Sequence, residues 1–169
     1  MDGHRGIELA TAERPAETLL AGGQCIIIDL AGASYAVPLG AIQEVEHVPQ
    51  IAPVPHSRPW IRGVVNLRGS VLTLVDPAAL LELGVWSRSP DARMLVVGGD
   101  DPVALVVDRL RGMRRLAGEV EATLAENLPG HVARYSLGVH RDAGQWLTVL
   151  DLERLLEAAA DAVWDRKGP

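Results

Sequence analysis

LTLVDPAALLE at residues 72–82 returns 75 residues later as LTVLDLERLLE at residues 147–157. Six of the eleven positions are identical, and two more exchange one aliphatic residue for another. Each copy is typical of a buried strand that runs into a helix capped by an aspartate, Asp76 or Asp151. A chain that repeats such a unit builds similar substructures that pack together. The repeat therefore predicts two β subdomains of similar topology.

Glycines precede both copies at the same offset: Gly63 and Gly69 before the first, Gly138 and Gly144 before the second. Glycine permits a tight turn with positive φ, or close approach of another backbone. The repeat also predicts equivalent places for its leucines, Leu72 with Leu147 and Leu80 with Leu155.

Short apolar runs separated by turn residues predict strands elsewhere. They are residues 24–30, 35–39, 61–67, 71–75, 94–97, 103–107, 110–116, 135–140 and 145–150. Strands and long helices do not alternate, which disfavours a parallel βαβ architecture and favours antiparallel barrels. The apolar stripe from Leu152 to Val163 predicts a C-terminal helix.

Two stretches between the predicted strands have other patterns. Ile42, Val45 and Val48 have helical spacing and predict a turn of helix that leads into an extended segment. Four prolines between residues 49 and 59 predict a long loop without regular pairing. Residues 117–133 are expected to be irregular.

Composition excludes several classes of function. The net charge of −6 argues against non-specific nucleic-acid binding, which needs a cationic surface. Cys25 is the only cysteine, which fits a reducing compartment. No stretch approaches the roughly 20 apolar residues that a membrane-spanning helix needs. We expect a cytoplasmic protein that does not insert into a membrane.

The N-terminal region carries scattered charges and little apolar surface. We expect residues 1–23 to be a flexible tail, residues 24–158 one domain of two subdomains, and residues 159–169 the end of the last helix and a tail. Deleting residues 1–20 should leave the melting temperature nearly unchanged, because the tail offers little surface to dock. A loss of several degrees in a thermal melt would show that the tail packs on the domain.

Residues that could carry catalysis have simpler structural interpretations. Asp76 and Asp151 stand where helices need N-caps, so a carboxylate pair is not indicated. The five histidines lack zinc-ligand spacing, and Cys25 among isoleucines is typical of an inert core thiol. No phosphate loop or nucleophile elbow occurs. We expect no enzyme activity, no metal and no cofactor.

Two features point to a partner instead. The arginines between residues 109 and 115 form a basic cluster that either meets an acidic partner or is a solvated strand face. The segment from Trp60 to Gly69 places Arg68 at a glycine turn, where its planar five-donor fork is presented rigidly.

In these motifs the sequence resembles the CheW family of bacterial chemosensory coupling proteins. The strongest block is Ile61-x-Gly63-Val64-x-Asn66-Leu67-Arg68-Gly69, followed by an apolar strand that ends in Asp76. Ile42-Gln43-Glu44-Val45 matches an earlier Val-x-Glu-Ile-like block, and residues 104–108 and 147–156 match two later ones in order. The resemblance covers about residues 24–158. The output of the pathway, motility, pili or another, stays open.

The resemblance implies a mainly β fold of two SH3-like five-stranded barrels around a shared hydrophobic interface, with short helices and a C-terminal helix. It implies a non-enzymatic adaptor between the cytoplasmic tip of chemoreceptors and the regulatory domain of a CheA-type histidine kinase. Another CheW-like domain is a further partner that it allows. The partner-binding residues carried over are Ile42, Glu44, Val45 and Arg68, with Gly63 and Gly69 shaping the surface. The alternative is a small β-barrel that binds oligosaccharide or nucleic acid.

Overall fold

The computed structural model describes residues 23–117, 120, 121 and 126–164. Its strands are β1 (Gln24–Leu30), β2 (Ala33–Pro38), β3 (Ile42–His47), β4 (Ile51–Ala52), β5 (Ile61–Leu67), β6 (Ser70–Val75), β7 (Arg93–Val97), β8 (Val103–Val107), β9 (Arg109–Arg115), β10 (Ser136–Asp142) and β11 (Gln145–Leu150). Its helices are α1 (Pro77–Leu80), α2 (Gly130–Ala133) and α3 (Leu152–Trp164). In this part of the chain no helix has the length and apolar character to cross a membrane.

The strands form two sheets between which the chain passes twice. Sheet 1 has the order β10-β11-β2-β1-β9, and sheet 2 has the order β3-β7-β8-β6-β5-β4. Neighbours are antiparallel except for one parallel pair in each sheet, β11 with β2 and β6 with β8. Sheet 1 is thus built from the two ends of the domain and sheet 2 from its middle. The mainly β, two-part fold predicted from the sequence is confirmed.

Buried apolar side chains form three clusters. One lies against sheet 2 and includes Leu72, Trp86 and Met94. Another lies against sheet 1 and includes Cys25 and Leu147. The third and largest joins the opposite faces of both sheets with α1 and α3. Successive strand residues alternate between clusters, as strand geometry requires, so the third cluster is the shared interface between the subdomains.

The internal repeat is a repeat of structure. The β5–β6 and β10–β11 hairpins each have a bulge at a glycine, Gly63 with φ 138° and Gly138 with φ 145°. Backbone bonds after the hairpins also correspond, because the Asp76 N–H donates to the Trp60 carbonyl and the Asp151 N–H to the Tyr135 carbonyl, at 2.7 and 2.8 Å. Leu80 and Leu155, one from each helix, both lie in the shared interface.

Both predicted caps are confirmed, and they differ in strength. The Asp76 carboxylate is fully buried and accepts from the N–H groups of Ala78, Ala79 and Trp86. Asp151 accepts from the Arg154 N–H at 3.2 Å at the start of α3. Asp76 therefore holds the loop at Trp86 as well as its helix.

Three local predictions were wrong. Ile42–His47 is strand β3 rather than a turn of helix, and the helical turn is a short 3₁₀ segment at Leu39–Ala41 just before it. Within the proline-rich loop, Ile51–Ala52 pairs with β5. The supposedly irregular residues 117–133 include helix α2. The tail at residues 1–22 and the end at residues 165–169 lie outside the described residues, and the domain boundaries stay predictions.

Candidate functional site

Arg68 stands at the tip of the β5–β6 hairpin. Leu67 pairs with Ser70, which leaves Arg68 and Gly69 as a two-residue turn with φ of 50° and 89°. Positive φ at both positions is typical of the type I′ turn that suits the twist of a hairpin. The side chain of Asn66 accepts from the Gly69 N–H at 2.9 Å and stabilises the turn. The base of the Arg68 side chain is therefore fixed by backbone geometry.

Two glutamates of β3 hold the other end of the Arg68 side chain. Its guanidinium pairs with Glu44 through Nη1 and with Glu46 through Nη2, the latter at 2.5 Å. The Arg68 side chain stays 68% exposed, and each glutamate side chain is 30% exposed. We call these three residues the arginine–glutamate cluster. The cluster joins the edge strand β3 to the tip of the β5–β6 hairpin, although β7 and β8 lie between β3 and β6 in the order of sheet 2.

The surroundings of Glu44 and Arg68 favour the charged form of each. Hydrogen bonding with the Glu46 side chain, then with Arg68, together with the attraction of the guanidinium, lowers the pKa of Glu44. Hydrogen bonding and attraction from Glu44 raise the pKa of Arg68. Two of the five guanidinium N–H donors suffice for the two ion pairs, so others remain for a partner. The arrangement can present donors and carboxylate oxygens side by side.

The remaining predicted site residues lie at different depths. Val45 is opposite Leu95 in β7 and is 37% exposed. Ile42 is partly buried against the shared interface between the sheets. Gly69 is exposed in the turn next to Arg68. Gly63 is buried five residues before Arg68, where an added Cβ would collide with β4. The structure thus brings together Glu44, Arg68 and Gly69, with Val45 on the same edge strand.

Sequence reasoning missed two residues, a second partner of Arg68 and an exposed apolar side chain after the turn. Glu46 is the second partner of Arg68, and alternation along a strand would have placed it on the face of Glu44. Val71, three residues after Arg68, is a large apolar side chain that is mostly exposed. The signal for Val71 was its place directly after the Arg68-Gly69-Ser70 turn.

The thiol of Cys25 and the possible metal ligands do not form a reactive site among the described residues. Cys25 is fully buried, and burial raises the pKa of its thiol to about 11, so it is a poor nucleophile. Within the described ranges, no three His, Cys, Asp or Glu side chains stand close enough to hold a metal ion.

The basic cluster of β9 meets acids of its own chain. Arg109 pairs with Asp91, Arg111 with Asp29 and Arg114 with Asp142. These arginines are about half exposed. The solvated strand face, now with internal ion pairs, is the interpretation that the structure favours.

β9 occupies in sheet 1 the place that β3 occupies in sheet 2. Each is an edge strand with a register shift, and Met113 opposite Ile26 corresponds to Val45 opposite Leu95. In sheet 2 the acids lie on the edge strand β3 and the arginine on the β5–β6 hairpin. In sheet 1 the arginine, Arg114, lies on the edge strand β9, and its acid, Asp142, lies near the tip of the β10–β11 hairpin. Each half thus has an ion pair between its edge strand and its hairpin, with the places of acid and arginine exchanged.

The described residues combine a two-sheet β fold with an exposed ion cluster that joins an edge strand to a hairpin tip. The chain belongs to the CheW-like family: residues 24–160 match the CheW-like domain. This confirms the resemblance drawn from the motifs.

Relatives and a solved structure agree with the family. Protein PilI of Pseudomonas aeruginosa is 32% identical over 59% of this chain, a match that spans 55% of PilI. The chemotaxis protein CheW of Thermotoga maritima is 27% identical over 73% of this chain and 81% of its own. The scaffolding protein TtCheW of Thermoanaerobacter tengcongensis has the same fold, with a TM-score of 0.67 and 20% identity over 78% of this chain and 85% of that one. Together they support the predicted role of chemotaxis coupling adaptor.

Proposed function

We propose that this protein is a non-enzymatic adaptor that couples the cytoplasmic tip of chemoreceptors to the regulatory domain of a CheA-type histidine kinase. It works in the cytoplasm at receptor arrays and does not itself insert into the membrane. Membership of the CheW-like family supports the adaptor class. The observation that carries the proposal is the arginine–glutamate cluster, because a rigid arginine is a preferred anchor of protein interfaces.

The partner surface combines charge with modest apolar area. Arg68 offers its remaining N–H donors to partner carbonyls or carboxylates, while Glu44 accepts from partner cations. Val45 and Val71 provide exposed apolar contacts on β3 and β6. Ile42 contributes by packing beneath the strand and Gly63 by setting the hairpin shape, so we assign these two an indirect part.

Another CheW-like domain is a second kind of partner within this proposal. Glu44 of β3 and Arg114 of β9 carry opposite charges, so these two places are complementary between copies of such a fold. The binding experiment below, with a CheW-like domain as titrant, tests this extension.

Replacing Arg68 should weaken partner binding while the fold survives. Lysine keeps the charge but cannot pair with both glutamates and a partner through one planar fork, so Arg68→Lys should bind nearly as weakly as Arg68→Ala. We expect a loss of about 1–3 kcal/mol, the range for hydrogen bonds to charged groups. Calorimetry with the kinase regulatory domain and a receptor fragment, beside a thermal melt, measures it.

Two further variants serve as controls. Arg68→Asn removes the guanidinium but tolerates positive φ better than alanine does, so it separates binding from turn strain. Arg109→Ala removes another exposed, ion-paired arginine far along the chain and should bind normally to the kinase. Full binding of both partners by folded Arg68→Ala would remove Arg68 from the site.

The alternative, a barrel that binds oligosaccharide or nucleic acid, has the overall negative charge against it. A salt-titrated binding assay with an oligonucleotide decides the nucleic-acid case, since phosphate contacts weaken steeply with salt.

A further inference from the structure

Arg88 connects the loop after α1 to the end of the edge strand β3. Its Nη1 donates to the Val48 carbonyl at 3.1 Å and its Nη2 to the Pro49 carbonyl at 2.7 Å. These two carbonyls follow β3 directly, at residues outside any strand. One planar guanidinium thus holds two successive carbonyls, which a single ammonium could not do in the same geometry.

The loop that carries Arg88 is itself anchored. Trp86 is buried in the cluster against sheet 2, and its backbone N–H donates to the buried Asp76 carboxylate at 2.7 Å. The side chain of Val48 packs against that same cluster. The connection after β3 is therefore held from the interior by the cluster of Trp86 and at the surface by Arg88.

β3 needs such an anchor because it is an edge strand. It pairs with β7 alone in the sheet order, and its register shifts between Ile42 and Glu44. Glu46 lies two residues before Val48, so the position of the Val48 carbonyl fixes the end of the strand from which Glu46 reaches Arg68. A shift of this end would move both carboxylates relative to the guanidinium.

We propose that Arg88 is a positioning residue for the partner surface, which holds the end of β3 so that the arginine–glutamate cluster keeps its geometry. Arg88 acts through β3 and need not touch the partner. The expected loss of partner binding rests on the proposed function, whereas the expected effect on β3 rests only on the contacts described above.

The experiment compares Arg88→Ala, Arg88→Lys and the control Arg109→Ala in the full chain. Amide hydrogen exchange should accelerate about tenfold or more at residues 42–47 of Arg88→Ala, with unchanged exchange in β1 and β2. Affinity for the kinase regulatory domain should fall about three- to tenfold, and lysine should recover part of both effects through one carbonyl. Arg109→Ala, with the same loss of charge, should change neither.

The outcomes separate the two proposals. If the wild-type protein binds neither kinase nor receptor fragment, the proposed function fails, while the exchange data still decide whether Arg88 positions β3. Unchanged exchange in β3, or uniform acceleration of every strand with a lowered melting temperature, overturns the positioning role. If Arg88→Ala loosens β3 but still binds the kinase normally, then Arg88 positions β3 without affecting the partner surface, and that part of the proposal is overturned.

Discussion

Gly63→Ala is expected to lower the free energy of unfolding by about 4 kcal/mol, the largest effect of any small substitution considered. A residue with a side chain pays strain of about 1–3 kcal/mol in a backbone conformation as unusual as φ 138°. The added Cβ would also overlap the Ala52 carbonyl oxygen and lie 2.8 Å from the Ile51 side chain. Relieving that overlap would separate β4 from β5. Urea denaturation measures the loss.

Gly69→Ala is the matched control on the same hairpin. Gly69 also has positive φ, at 89°, but no heavy atom lies within 4 Å of its added Cβ. Only the conformational term remains, about 1–2 kcal/mol. The repeat supplies a second comparison, since Gly138→Ala would bring its Cβ to 2.9 Å from the Glu121 carbonyl oxygen and should resemble Gly63→Ala. Equal losses at Gly63 and Gly69 would show that contact with β4 has no energetic weight.

The sequence could predict the repeat because its signals are local. An aspartate after an apolar strand, a glycine at a turn and a glycine inside a strand each mark one backbone conformation, and Asp76, Gly69 and Gly63 have those conformations. The same signals recur in the second copy. Local chemistry therefore sufficed for the hairpins and caps.

The error at β3 has a physical cause. Ile42 and Val45 are three residues apart, a spacing that predicts a helix, yet they lie opposite Val97 and Leu95, which share one face of β7. The register shift after Ile42 inserts one extra residue, so a three-residue spacing returns to the same face of a strand. Periodicity alone cannot distinguish a bulged strand from a turn of helix.

The assembly of the sheets and of the site depends on contacts between distant residues. The repeat does not reveal that sheet 1 takes strands from both ends of the domain, because the pairing of β11 with β2 joins residues more than 100 apart. Likewise, Glu46 meets Arg68 only because sheet 2 brings its edge strand to the β5–β6 turn. The motif gave Glu44 and Arg68 as candidates, while the structure adds the contact of Arg68 with Glu46 and that of Arg88 with the end of β3.

The two caps should differ sharply when each aspartate is replaced. Asp151→Ala removes the single cap bond to the Arg154 N–H and should cost about 1 kcal/mol of unfolding free energy. Asp76→Ala leaves three backbone N–H groups without their acceptor, those of Ala78 and Trp86 in the interior and that of Ala79 partly buried. Since each buried unsatisfied donor costs about 1–3 kcal/mol and such losses do not simply add, we expect about 3–4 kcal/mol.

Asp76→Asn refines this comparison. Its amide oxygen can still cap Ala78 and Ala79, but its NH₂ group would face the Trp86 N–H, donor against donor. Asp76→Asn should therefore lie between Asp151→Ala and Asp76→Ala in urea denaturation, and it should loosen the loop at Trp86 in hydrogen exchange. Partner binding of Asp151→Ala should fall only as far as its folded fraction falls. If Asp76→Ala and Asp151→Ala were equally stable, the bond to Trp86 would contribute nothing, and Asp76 would be a helix cap alone.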